Sequence, residues 1–393
     1  MAERLADDPP LLEVRDLRVE FRTGRKRVNA VNGVSFHVRS GETLAILGES
    51  GSGKSVTFEA ILGVLESPPG FVTGGVAAYR GEDLLALPMA RRRALCGRRL
   101  GMIFQDPLSA LNPPFTVGWQ IGEMFRVHQG LSRAEAQERT VALLERVGIP
   151  GARERVGDYP HQFSGGMRQR VVIAMALAVD PDLVIADEPT TALDVTVEAQ
   201  ILKLLRDLQQ DRGIGLILIT HSMGVVAEVA DRVVVMYAGK VMETGTVRDI
   251  FRHPAHPYTR GLLDSIPRRG AQRLVPIGGQ PPDLARIPPG CAFHPRCRLA
   301  RERCRTEVPA LHAFADGRRA SACHFFEDVL GLTGCRRGSR RRPVTRPFCS
   351  RCATSRSTSR SARGCSRASP ATSTRSTASR SRSRAARRSA WSA

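Results

Sequence analysis

Two short segments of this 393-residue chain hold residue types suited to phosphoanhydride chemistry. The first, GESGSGKS at residues 48–55, satisfies G-x-x-x-x-G-K-[ST] at every fixed position. It follows the apolar run ETLAILG and precedes a helical pattern, the context such a phosphate-binding loop requires. Gly48, Gly51 and Gly53 let backbone N–H groups close around phosphates at a helix N-terminus, and Glu49, Ser50 and Ser52 complete the loop. Lys54 is then placed to reach the β- and γ-phosphates, and the Ser55 hydroxyl to ligate Mg²⁺. The second segment, DLVIADEP at residues 182–189, sets two carboxylates at the end of a buried strand. Asp187 would hold the metal through water, and Glu188 would orient and deprotonate the attacking water. A solvated turn offers the same pair of acids, so the pair alone does not decide.

The elements that must position these residues are legible as periodicity. LLEVRDLRVEF (11–21) and VNGVSFHV (31–38) alternate like strands joined by a polar turn. Residues 106–156 turn helical and charged, VVIAMALAV reads as a buried helix and DLVIAD as a buried strand. VEAQILKLLRDLQQD is an amphipathic helix leading into the strand GLILIT. Strand and helix alternate, so an α/β fold with a parallel core is expected. Near residue 253 the texture shifts towards Pro, His and Cys, which predicts a smaller appended unit.

Charge is distributed unevenly. The formal net charge is +21, yet residues 336–393 carry 17 Arg and no Lys, Asp or Glu, leaving only +4 for residues 1–335. The body is an ordinary, mildly basic globular protein. Its longest apolar runs fall short of the roughly 20 residues that span a bilayer. The start MAERLADDPP lacks a signal-peptide core, so a cytosolic chain is expected, with any membrane role coming through a partner. Only Cys96 of the nine cysteines lies in the first 290 residues, which excludes a secreted disulfide framework.

With FSGGMRQR (163–170) ahead of the acidic strand, the chain resembles the ATP-binding subunits of ABC transporters over residues 11–326. The resemblance implies a P-loop ATPase domain at 11–255 with a helical subdomain at 106–160. It gives Ser164, Gly165 and Gly166 the role of the signature that meets the γ-phosphate on an opposing subunit. Met167 stands where the general pattern has Gln. Gln105 in IFQDP would sense Mg²⁺ and the attacking water and contact the permease. Asp194 in ALD (192–194) matches the dimer-contact loop. His221 in LITHSM would hold the γ-phosphate and Glu188, and Phe21 is the candidate for stacking on adenine. Expected partners are a second ABC ATPase subunit or domain, two transmembrane permease subunits and an extracytoplasmic peptide-binding protein, with no specific nucleic acid. The chain would then work at the cytoplasmic face of the membrane.

HPAHPYTRGLLDSIP (253–267) resembles the hallmark of the oligopeptide, dipeptide and nickel importer branch, which implies a C-terminal extension at 256–330. There Cys291, Cys297, Cys304 and Cys323 are spaced C-x5-C-x6-C-x18-C. Four thiols in a cytosolic chain suggest a metal centre, and the gaps do not fit common zinc knuckles. The branch's similar segment implies a [4Fe–4S] cluster, with zinc or free thiols as alternatives. The rival functions are an exporter ATPase, or a non-transport ABC protein acting on nucleic acid or ribosomes. The first is disfavoured by the HPYTRGLL segment, and the second by the absence of two in-frame ATPase domains or a long coiled coil.

The basic tail, 336–393, has the composition of GC-rich DNA translated in a wrong frame. Shifted by the genetic code alone, CSRCATS (349–355) can be read LLEVRDL, identical to residues 11–17. RSTASRS (375–381) can be read AVNGVSF, identical to 30–36, and ARRSAWSA (386–393) can be read GETLGLLG against GETLAILG at 41–48. The expectation is that the tail is the out-of-frame start of a second ABC domain rather than a nucleic-acid-binding arm.

Overall fold

The computed structural model describes residues 9–331 except 25, 192, 267–275 and 316; the tail at 336–393 lies outside the described residues. Among the described residues twelve strands run β1 (Leu12–Thr23), β2 (Lys26–Val38), β3 (Thr43–Leu47), β4 (Gly70–Tyr79), β5 (Glu82–Asp83), β6 (Leu100–Ile103), β7 (Leu183–Asp187), β8 (Gly215–Thr220), β9 (Arg232–Tyr237), β10 (Lys240–Thr246), β11 (His312–Phe314) and β12 (Arg319–Ser321). They form a four-stranded sheet ordered β2-β1-β4-β5 and an eight-stranded sheet ordered β11-β12-β10-β9-β3-β8-β7-β6. The centre of the larger sheet, β9-β3-β8-β7-β6, is parallel throughout, as the alternating pattern predicts. The smaller sheet is antiparallel.

Every residue of β3, β7 and β8 is buried, because both faces of this sheet are covered. Alternate side chains go to opposite layers. Ile46, Ile185 and Ile217 pack with β1, β2 and the helix Lys54–Leu62. Val184, Ala186, Leu216 and Leu218 pack with the helix Gly165–Leu177 and the helical segment instead. That segment holds helices Val117–Gln129 and Arg133–Arg146, whose Ile121, Phe125, Val141 and Leu144 reach the same core. The parallel strands therefore end together, and their C-terminal ends carry residues 48, 188 and 221 to one edge of the sheet.

The C-terminal extension does not stand off from this sheet. β12 pairs with β10 through Glu243↔Ser321 and Thr244↔Ala320. The carboxylate of Glu243, fully buried, accepts from Ala255 N at 2.7 Å and His256 N at 3.0 Å, and lies 3.5 Å from the Arg319 guanidinium. His256 in turn caps the helix Pro257–Asp264, its Nδ1 accepting from Tyr258 N. Burial lowers the His256 pKa to about 4, so the neutral, accepting ring is the form that fits here. These contacts fix Tyr258, whose hydroxyl reaches the phosphate loop.

Candidate active site

The loop at 48–55 leaves β3 and enters the helix Lys54–Leu62. Glycine is needed at two of its positions for different reasons. A Cβ on Gly48 would run into the Met236 carbonyl oxygen of β9. Gly53, the N-cap of the helix, has φ +93°, and a Cβ there would meet the Ala30 carbonyl. Lys54 is folded into the loop, donating to Gly48 O at 2.9 Å and Glu49 O at 3.1 Å. Burial lowers its pKa, opposed by the carboxylates of Glu188, Asp187 and Glu49.

Asp187 closes β7 with its side chain buried and raised in pKa, first by burial and also by Glu188; the Ser55 hydroxyl and Lys54 work the other way. Its Oδ1 is buried without a hydrogen-bond partner. An orphaned carboxylate oxygen beside a serine hydroxyl fits Mg²⁺, which takes one or two protein oxygens and keeps several waters. The two residues that the sequence assigns to the metal, Ser55 and Asp187, are thus neighbours.

Glu188 is where three separate elements converge. It follows β7 in a left-handed conformation, φ +43°, and its N–H donates to Ile219 O of β8. His221 Nδ1 lies 3.0 Å from Glu188 Oε1; Gln105 Nε2 donates to Oε2 at 3.2 Å and the Thr191 hydroxyl to the same oxygen at 3.0 Å. Burial pushes the Glu188 carboxyl up, but the hydrogen bonds from His221 and Thr191 and the charges of His221 and Lys54 outweigh it and hold the pKa below the usual range. A carboxylate kept ionised and oriented by three donors can receive a proton from water. Thr191 is absent from the sequence-based assignment. Its signal is the turn after the acids, in which Thr191 N returns to Glu188 O at 3.1 Å.

The remaining expected residues lie elsewhere on the chain. Ser164 is the N-cap of the helix Gly165–Leu177 and accepts from Met167 N. Ser164 and Gly165 are exposed, and Gly166 packs under Val197. Among the described residues no hydrogen bond joins this trio to residues 48–55. Asp194 caps the helix Val195–Arg212, accepting from Thr196 N and Val197 N; Ala192 lies outside the described residues. Phe21 sits in β1 opposite Val28 and Gly70, packed against the core of the antiparallel sheet.

Cys291, Cys297, Cys304 and Cys323 line one cavity of about 100 Å³, together with His256, His294 and His324. Burial raises the thiol pKa of Cys291 and Cys297, and that of Cys323 to about 12. Three of the four are buried; Cys291 and Cys304 belong to the apolar core at the extension and Cys297 packs on it. Among the described residues no group of three or more His, Cys, Asp or Glu is placed to hold a metal ion. The expected [4Fe–4S] cluster is therefore not shown by this arrangement.

Comparison with known proteins agrees with this fold. Residues 31–191 match the ABC transporter family, and residues 242–304 the C-terminal region of oligopeptide/dipeptide transporters. The ATP-binding cassette MJ0796, solved as a dimer in a post-hydrolysis state with ADP and Pi, superposes with a TM-score of 0.55 at 25% identity, covering 60% of this chain and 99% of that one. The chain belongs to the ATP-binding cassette proteins of ABC transporters and is an ATPase. Within that class it is similar to the peptide-import members. A putative peptide import ATP-binding protein of Brucella ovis is 50% identical over 333 residues, 81% of this chain and 98% of the relative. The oligopeptide transport ATP-binding protein OppD of Bacillus subtilis is 54% identical over 74% of this chain and 82% of its own length. OppD of Escherichia coli is 48% identical over 84% and 97%. The chain carries both the ATPase cassette and the oligopeptide/dipeptide-transporter extension. Among the described residues no helix is long and apolar enough to cross a membrane.

Proposed function

We propose that this chain is the energy-coupling ATPase of a di- or oligopeptide importer, paired with a second ATPase beneath two permease subunits and supplied by an extracytoplasmic peptide-binding protein. The observation that carries the reading is the convergence of Gln105, Thr191 and His221 on Glu188 in a chain that also bears the oligopeptide-transporter extension. In this reading the N–H groups of residues 48–53 and Lys54 hold the ATP phosphates, and Ser55 and Asp187 hold Mg²⁺. Glu188 takes the proton of the attacking water, with Gln105 and His221 orienting it. Ser164 and Gly165, left exposed within one chain, and Gly166 beside them meet the γ-phosphate held by the partner ATPase; Asp194 borders that contact, and Phe21 stacks on adenine. Closing and reopening of this sandwich reaches the permeases through the segment at Gln105, at the cytoplasmic face. Uptake of a labelled tripeptide into cells lacking the gene, restored by the wild-type chain and not by Glu188→Gln, tests the assignment. Restored uptake of Ni²⁺ with no peptide uptake would move the solute to the other substrate this branch carries.

The finer reading of the extension is that its four thiols hold a [4Fe–4S] cluster. Its support is their convergence on one cavity and the suitability of four thiolates for such a cluster. Anaerobically purified chain should then contain iron and acid-labile sulfide in equal amounts, near four of each per chain. Iron and sulfide both absent, with four titratable thiols, would leave the cysteines as core residues.

A further inference from the structure

The second residue of the phosphate loop is an acid, in the one place where a carboxylate ought to repel the ligand. Glu49 is held by the extension at two points. Its N–H donates to the Tyr258 hydroxyl at 3.0 Å. Its carboxylate takes a bidentate ion pair from Arg296, Nη1 to Oε2 at 2.6 Å and Nη2 to Oε1 at 3.0 Å. Its carbonyl receives Lys54 Nζ. The guanidinium is itself locked. Its side chain is 5% exposed, Nε donates to Gly278 O at 3.0 Å, and the charge lies over the rings of Tyr237 at 5.7 Å and Phe293 at 6.0 Å. Tyr237, Tyr258 and Phe293 pack against one another with centroids 4.7 to 5.4 Å apart. The Glu49 hydrogen bonds, with Tyr237 beside them, push the Arg296 pKa further up, so the cation is permanent.

We infer that Arg296 and Tyr258 are positioning residues for nucleotide binding: the extension neutralises Glu49 and turns its carboxylate away from the phosphates, so that the loop is ready for ATP without an ATP ligand coming from the extension. The inference rests on the reading of residues 48–55 as the phosphate site. Glu49 lies in the stretch matching the ABC transporter family, whereas Tyr258 and Arg296 lie in the separately matched transporter C-terminal region. The ion pair therefore couples the two. The turn His294–Arg296 that carries Arg296 also leads into Cys297, so one short element forms both the cavity wall and the clamp on the loop. Without Arg296 the Glu49 carboxylate is free to pair with the neighbouring Lys54 ammonium or to face the triphosphate. Either outcome weakens ATP binding through charge rather than shape.

The test is equilibrium binding of a fluorescent ATP analogue to the full chain, with thermal unfolding in parallel. Arg296→Met should raise Kd by about tenfold or more, and Arg296→Lys, which keeps a charge but loses the bidentate fork, by an intermediate factor. Glu49→Gln should bind about two- to threefold more tightly than wild type, because an acid beside the phosphates has gone. The deciding variant is Arg296→Met with Glu49→Gln, which should recover most of the lost affinity although it has two lesions. A double variant as weak as Arg296→Met would show that Arg296 supports the fold only, as would an unchanged Kd in Arg296→Met with a lowered melting temperature. If Arg296→Met does not fold, Arg296→Lys with and without Glu49→Gln makes the same comparison. Wild-type chain that fails to bind the analogue would instead remove the underlying phosphate-loop reading.

Discussion

Glu188→Gln should abolish turnover while leaving ATP bound. A general base contributes about 10²–10⁴-fold to a proton-transfer step, so kcat for ATP hydrolysis should fall by that factor. The amide is close to the carboxylate in shape and can still accept through its oxygen from Gln105 or Thr191. The site therefore keeps its form. ATP affinity should stay within a few-fold of wild type, since Glu188 contributes nothing attractive to a triphosphate. Steady-state phosphate release together with analogue binding reads both quantities. A kcat loss below about tenfold would reassign the base, with His221, 3.0 Å away and mostly exposed, as the next group to examine.

The folded core and most of the candidate site were legible because their signals are local. Uniform apolar runs give β3, β7 and β8, and the fixed Gly, Lys and Ser of the loop follow β3 directly. What was not legible depends on partners far along the chain. β4, with GFVTGGVAAY, contains three glycines and becomes a strand because β1 pairs with it at Leu12↔Tyr79 through Phe21↔Gly70. The clamp on Glu49 joins residues 247 positions apart, and nothing around Arg296 in FHPRCR distinguishes it from a surface arginine. The cysteine spacing suggested a metal, whereas the described side chains form an apolar cavity lining. Spacing reports which ligands are present but not their convergence on coordination geometry. Ser164 and Asp194 illustrate the reverse limit. Within one chain each is accounted for as a helix N-cap, and a role across a dimer would add to that local one rather than replace it.

Lys54→Ala carries the other large effect, and it separates binding from chemistry. The ammonium is buried and spends its hydrogen bonds on the carbonyls of Gly48 and Glu49. The chain thus holds a desolvated positive charge in readiness, one whose pKa burial already lowers. That arrangement is costly unless a ligand supplies the compensating charge, and a triphosphate does so. A hydrogen bond to a charged group is worth about 1.5–3 kcal/mol, so Kd for ATP should rise by about 10- to 150-fold. Removing a desolvated cation also relieves the free protein of its cost, so thermal stability without nucleotide should fall little or rise. Nucleotide should then no longer raise the melting temperature at concentrations that stabilise wild type. The two variants are thereby opposite in kind. Glu188→Gln keeps the ligand-induced shift and loses turnover, whereas Lys54→Ala loses the shift first. A Lys54→Ala chain that is still stabilised by ATP at wild-type concentrations would mean that the backbone N–H groups of residues 48–53 hold the phosphates almost alone. The lysine would then act mainly on the γ-phosphate as the bond breaks, and the missing stabilisation would appear in kcat instead.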